Sequence, residues 1–424
     1  MDHAVDVVIV GAGGGGALLG LVLARRGIRT LVIDRGGGLP QGLRGEILQP
    51  NGQQILHRLG LLSQLPPTSV RPVRYFHFRQ CRGPRLCTID YGELFGPYNR
   101  ALVALPHAVQ HVVLEALKAQ NPGGLWFETR FTGLIEEQGK IRGVSVEKKG
   151  KVERIAANIV VGADGPWSSV RQALRIPAKV YRYAEGYVVA LLPCPDRLEE
   201  AHYFLGRKEI LGIFPAAGDR VYIFYMIPAD SFPTLQAQGI HALREKWSAI
   251  FPDLRSTFNQ LTGWEQTTYL ATGRVRAQTW VRDGAVLIGD AAHGMNPHAS
   301  QGRMQAMVDA VVLADVIASC LERKEYSASA LGAFEVQRRP HVEMLQRLAD
   351  EEVFFWNTGN PLIGWLRDRV FRTLDRNRRL RYQVLSTTAG FRTTPPFNWL
   401  DRLQAAGFLP DPRADHLPVE GLSR

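Results

Sequence analysis

The 424-residue sequence predicts an α/β fold: a parallel sheet wrapped by helices, an inserted and mostly antiparallel second sheet, and a helical C-terminal segment. Three observations predict it. Glycine-bearing signatures follow β-forming runs at Gly11-Ala12-Gly13-Gly14-Gly15-Gly16, Gly162-Ala163-Asp164-Gly165 and Gly289-Asp290-Ala291-Ala292-His293. Further runs of β-formers lie between these signatures. After about Pro340 the chain becomes helical and basic.

The first signature sits in a strand–turn–helix–strand frame. Val5 to Val10 is a β-branched run suited to a strand buried on both faces. Six residues then satisfy G-x-G-x-x-G, Ala17 to Arg26 reads as a helix ending at Gly27, and Thr30 to Ile33 reads as a strand closing on Asp34. Gly11 permits the tight turn, Gly13 lets the backbone approach a pyrophosphate, and Gly16 lets helix and strand pack closely. The helix N-terminus offers unpaired N–H groups and a positive dipole end to a diphosphate. Asp34, roughly 20 residues on, is placed to accept from a ribose hydroxyl. The frame therefore predicts a Rossmann-like dinucleotide site, without choosing between FAD and NAD.

The later signatures repeat the strand-to-helix junction. Asn158 to Val161 runs into Gly162-Ala163-Asp164-Gly165, and Gly284 to Ile288 runs into Gly289-Asp290, followed by Pro297, Gln301-Gly302 and a helix through Asp309. An aspartate beside a helix N-terminus suits sugar hydroxyls and an anionic ring edge; its plainer role is to cap the helix. The intervening runs Arg74–Arg79, Tyr187–Leu192, Leu211–Pro215 and Val221–Met226 read as strands of a covering sheet. These patterns divide the chain into a discontinuous cofactor domain (1–72, 100–180 and 270–345), a substrate domain (73–99 and 181–269) and a basic helical segment (346–424).

In that last segment Leu362, Leu366, Val370 and Leu374 recur every four residues, while Arg367, Arg369, Arg372, Arg376, Arg378, Arg379 and Arg381 supply the polar side. Two readings fit: a helix packed over the larger domains with a solvated arginine face, or a basic amphipathic helix over 362–381 lying on an anionic membrane.

Composition narrows the function classes. Hydrophobic content of 45% and charged content of 21% are those of a globular protein, and no apolar run is long enough to span a bilayer. With no basic, apolar leader at the N-terminus, the expectation is a cytoplasmic protein. The net charge of +11 fits anionic cofactors, and no aromatic-interleaved basic motif points to nucleic acid. Four scattered cysteines without C-x-x-C give neither a disulfide framework nor a zinc site. His107, His111 and Glu115 share one helix face, which reads as a polar stripe with no further ligand cluster beside it. No metal is expected.

Taken together, the three signatures in this order and spacing, over roughly residues 5 to 345, resemble the group A FAD-dependent aromatic monooxygenases, the para-hydroxybenzoate hydroxylase-like family. The likeness is nearest to the subgroup acting on quinones and quinolones. The resemblance implies FAD as cofactor, NAD(P)H as reductant, and hydroxylation of an electron-rich, apolar aromatic by dioxygen through a flavin C4a-hydroperoxide. It assigns Gly11, Gly13, Gly14, Gly16, Asp34 and Arg35 to the ADP half of FAD. Asp164, Gly289, Asp290, Pro297, Gly302, Arg303 and Met304 go to the remainder of the cofactor site. It places Arg44 and His107 near the flavin, with Arg44 the one candidate catalytic residue, and gives Tyr203, Phe214, Tyr225 and Pro297 as substrate contacts. Ser300 and Met304 depart from the family's P-x-x-G-Q-G-x-N, standing for its first glycine and its asparagine; His107 replaces an arginine or glutamine. Two other readings share the fold: a reductase or dehydrogenase acting on an isoprenoid-type substrate, and a catalytically silent flavin-binding protein.

Overall fold

The structure is a computed structural model that describes residues 3–39, 42–43, 47–194 and 198–417. The opening unit follows the predicted frame: β1 (His3–Val10), α1 (Gly16–Arg25) and β2 (Thr30–Ile33). β1 is hydrogen-bonded in parallel both to β2 and to β3 (Lys151–Gly162), and β3 pairs in parallel with β4 (Ala285–Leu287). A parallel sheet buried on both faces needs apolar residues at successive positions. Val7, Val8 and Ile9 of β1 are fully buried, and so are Ile159, Val160 and Val161 of β3.

A seven-stranded sheet forms the second layer, in the order 267–277, 178–193, 220–228, 210–216, 201–205, 75–80 and 85–90. Every pairing in it is antiparallel except that of 201–205 with 75–80. The predicted α/β fold with an inserted, mostly antiparallel sheet is thus observed. The boundaries expected at 72/73, 180/181, 269/270 and 345/346 each fall inside an element, because strands and helices run on across them.

Alternation along 220–228 sorts its side chains between two cores. Tyr222 and Met226 join one cluster with Phe76, Phe214 and Tyr187, while Val221, Ile223, Tyr225 and Ile227 join another with Leu243, Trp247 and Phe258. The first cluster is closed by the C-terminal helices. In chain order the later helices are α2 (Gly302–Arg323), α3 (Ala328–Trp356), α4 (Pro361–Arg376) and α5 (Arg378–Thr388). By length and composition α2 could cross a membrane, but half of its apolar window is buried within the fold.

The basic segment departs from both sequence readings. Phe371 and Leu374 of α4 pack into the sheet's cluster, which follows the packed reading. Part of the arginine face, however, is turned inward, while Arg372, Arg376 and Arg378 remain exposed. Arg367 is buried beside Asp368 at 2.9 Å, Arg379 pairs with Asp401 and Asp411 at 2.8 Å each, and Arg381 reaches Glu93 at 2.9 Å. Guanidinium groups held in these pairs are not presented to an anionic surface. Membrane contact through 362–381 therefore has no support in this packing. Leu362 and Trp365 remain exposed at the start of α4.

Candidate functional site

The glycine turn between β1 and α1 is built from backbone in close contact. Gly11 adopts φ of +109°, and a Cβ there would lie 2.3 Å from the carbonyl oxygen of Ala163. A Cβ on Gly16 would lie 1.9 Å from the Gly11 carbonyl oxygen. Gly13 is the opposite case: nothing stands within 4 Å of where its Cβ would be, so the space over the turn is open. That open face, at the N-terminus of α1, fits a diphosphate.

Asp34 ties the turn to the end of β2. One carboxylate oxygen accepts from the Ala12 N–H at 2.7 Å and the other from the Gly36 N–H at 2.8 Å. Each oxygen keeps a further lone pair for a sugar hydroxyl. Arg35 beside it is exposed. Gln110, which the sequence did not single out, is buried and donates to the Ala12 carbonyl at 2.6 Å. It lies on the helix Ala108–Gln120, whose N-cap His107 is half-buried with φ of 64°.

The late signature meets this turn from the other side. Gly289 has φ of 56° and Asp290 is exposed at the start of the short helix Asp290–His293. At the beginning of α2, the Arg303 side chain lies 3.2 Å from where a Gly14 Cβ would be, and Ala306 abuts Gly15. The start of α2 thereby adjoins the glycine turn through Arg303 and Ala306, and Ala306 also abuts Gly289, the residue before Asp290. Pro297 is exposed in the loop that follows Asp290.

Three candidates are placed differently. The Asp164 carboxylate is taken up in starting the helix Ser169–Ala173, accepting from the Ser168 hydroxyl at 2.5 Å and from the Ser169 and Val170 N–H groups. It is a capping group, as an aspartate before a helix commonly is. Met304 is 1% exposed, and its sulfur lies 2.3 Å from where a Gly52 Cβ would stand, so its side chain belongs to the core. Tyr225 faces away from Tyr203 and Phe214 and donates to Glu209 at 2.9 Å. Arg44 lies outside the described residues.

Beneath the Gly289 loop is a buried polar network that the sequence did not reveal. Asp309 of α2 accepts from the Gly289 N–H at 3.0 Å, bonds His293 Nε2 at 2.6 Å and accepts from Arg338 of α3 at 2.9 Å. Burial pushes the Asp309 carboxyl up, but His293, Arg338 and these hydrogen bonds outweigh it and hold the group at about 2. Arg338 also donates to Gln305; Gln305 donates to Gln301, and Gln301 to the Thr388 carbonyl. His293, flanked by Trp280 at 4.7 Å, thus serves to fix the loop.

The loop then reaches the second sheet through His298. Its Nδ1 lies 2.5 Å from the Tyr187 hydroxyl, and its ring stands 5.4 Å from that of Trp356. Trp356 also meets Tyr203 and Phe78, and Tyr203 meets Phe214. Tyr203, Phe224, His298 and Trp356 keep partial exposure although protein surrounds them. An aromatic wall therefore adjoins the crevice, suited to a flat apolar ring.

The FAD binding domain family matches residues 4–349. The chain is 32% identical over 348 residues to 6-methylpretetramide 4-monooxygenase of Streptomyces rimosus, covering 81% of this chain and 82% of that protein. It is 30% identical over 396 residues to kynurenine 3-monooxygenase of Salinispora arenicola, covering 86% and 81%. The structure of P. aeruginosa PqsL in complex with 2-aminobenzoylacetate superposes with a TM-score of 0.77 at 22% identity, covering 85% of this chain and 99% of that one, a likeness of fold. The glycine crevice, the loop beneath it and these matches have one explanation: the chain belongs to the FAD-binding-domain family of para-hydroxybenzoate hydroxylase-like, group A flavin monooxygenases.

Proposed function

We propose that this protein is an NAD(P)H- and O2-dependent FAD monooxygenase that hydroxylates an electron-rich aromatic: a phenol, quinol or quinolone. One observation carries the reading. His298 stands in the loop that follows Asp290 and also touches Tyr187 and Trp356, so the cofactor crevice and the aromatic wall share a residue. The relatives' names, a pretetramide and a kynurenine monooxygenase, support an aromatic substrate.

In this reading the backbone of Gly11, Gly13, Gly14 and Gly16 holds the diphosphate, Asp34 accepts from the ribose, and Asp290, Gly302 and Arg303 hold the remainder. FAD, when bound, supplies the electron and dioxygen chemistry. The chain's own residues then do three things. Asp309, His293 and Arg338 fix the loop that carries Asp290. Tyr203, Phe214 and Trp356 orient a flat ring and exclude water from it. Gln110 and Asp34 hold the shape of the glycine turn.

The test is to supply the FAD-loaded protein with NAD(P)H and a panel of quinolones, naphthoquinols and polycyclic phenols while recording oxygen. The expected result is oxygen uptake that depends on the aromatic, matched by a product carrying one added oxygen. Turnover of the aromatic without oxygen uptake, or no product from any of the panel, overturns the proposal.

A further inference from the structure

The aromatic wall contains two polar atoms that the fold leaves unsatisfied. Glu352 Oε2 and His298 Nε2 are both shielded from solvent and have no hydrogen-bond partner among the described residues. An unsatisfied buried acceptor or donor is costly, and native structures contain few of them. Glu352 precedes Trp356 by four residues on α3, so the two side chains share one helix face. Trp356 touches the His298 and Tyr203 rings, and the Glu352 carboxylate lies within electrostatic reach of both Tyr187 and Tyr203. Glu352, Trp356, His298 and Tyr203 are each intermediate in burial, neither sealed in the core nor on the open surface.

The remaining charges nearby are already committed. Glu351, the next residue, is exposed and pairs with Arg402 at 2.9 Å. Asp350 binds Arg274 and the Tyr183 hydroxyl. Glu185 accepts from Asn357 at 3.2 Å, and Arg367 on α4 is paired with Asp368 at 2.9 Å. No cation is left to neutralise Glu352 within this set. Burial accordingly pushes its carboxyl up to about 8 and pushes the His298 imidazole down to about 3, so His298 is neutral. In the tautomer whose Nδ1 accepts from the Tyr187 hydroxyl, His298 Nε2 carries the hydrogen and is a donor.

We propose that Glu352 and His298 form the substrate-recognition pair of the cleft. Glu352 accepts from a ring hydroxyl or ring N–H of the aromatic, and His298 Nε2 donates to an oxygen on it. This rests on the monooxygenase reading for its substrate class and selects, among apolar aromatics, those that carry a hydrogen-bond donor. Glu352 Oε2 and His298 Nε2, two of the buried atoms left unpaired, are then satisfied by ligand.

The experiment measures binding, not turnover, so it stands apart from the oxygen-uptake test. FAD-loaded protein is titrated with 2-naphthol and with 2-methoxynaphthalene, which keeps the ring and lacks the donor, following the flavin absorbance and tryptophan fluorescence. Wild type is expected to hold 2-naphthol roughly tenfold or more tighter, with the preference growing as pH rises from about 7 to about 9 and the carboxylate forms. Glu352→Leu should abolish the preference and raise the melting temperature, since it removes a buried unsatisfied acid. Glu352→Gln should leave a preference that no longer changes with pH, and Glu351→Gln should behave as wild type. Equal or absent binding of the two probes by wild type overturns the proposal. So does a preference that survives in Glu352→Leu, or a pH dependence that survives in Glu352→Gln.

Discussion

The two halves of the site are made of different materials. Around the glycine turn the shape is set by backbone: Gly11 and Gly16 leave no room for a Cβ, and the Ala12 N–H is tied to the Asp34 carboxylate. Across the cleft the surface is made of side chains brought from the second sheet, the Asp290 loop and the C-terminal helices, with aromatic rings 5.1 to 5.9 Å apart. Backbone geometry admits few solutions, whereas a side-chain wall can be refitted residue by residue. The crevice is therefore the fixed part of the enzyme and the wall the adjustable part.

Gly16→Val should break that contrast most severely. A side chain 1.9 Å from the Gly11 carbonyl must open the turn, and FAD retention is expected to fall by roughly a hundredfold or more. Desalted protein would be colourless, as read from the ratio of flavin to protein absorbance; full occupancy would show that the turn tolerates rearrangement.

Asp309→Ala comes next, with an expected loss of about 3–5 kcal/mol in folding stability, because it strands Arg338 in the core. The same carboxylate sets a pH limit. Its pKa is held below the ordinary carboxyl value, so its contribution is complete above about pH 4 and is lost as pH falls towards about 2. Denaturant melts of wild type and Asp309→Asn across that window should converge at its acid end.

The smallest effect sharpens the comparison between the two faces of the second sheet. Tyr225→Phe removes a hydrogen bond to Glu209 on the far side from the cleft, with an expected cost of about 1 kcal/mol and no change in aromatic-ligand affinity. A matched change in affinity would mean that the far face also meets ligand.

The same division explains what could be read in advance. The strand–turn–helix frame, the order of the three signatures and the antiparallel insertion all rest on local spacing, and these are the features the sequence made plain. Tyr225 shows the limit of alternation: a period of two separates faces but does not say which one meets the crevice. Asp164 shows another, since a capping aspartate and a cofactor aspartate occupy the same kind of junction. The arginines of 367–381 read as solvent-facing because the partners of several are remote in sequence; Glu93 lies 288 residues before Arg381. Glu352 carried no local signal at all, as its surroundings exist only once α3 closes over the sheet.

The hydrogen-bonded chain from Gly289 through Asp309, Arg338, Gln305 and Gln301 to Thr388 bears on how the enzyme can be re-engineered. Grafting C-terminal helices from a cousin in order to alter substrate range would cut through that chain. The donor piece must therefore bring residues that mesh with Asp309 and Gln301, or the graft will loosen the flavin pocket it was meant to leave alone.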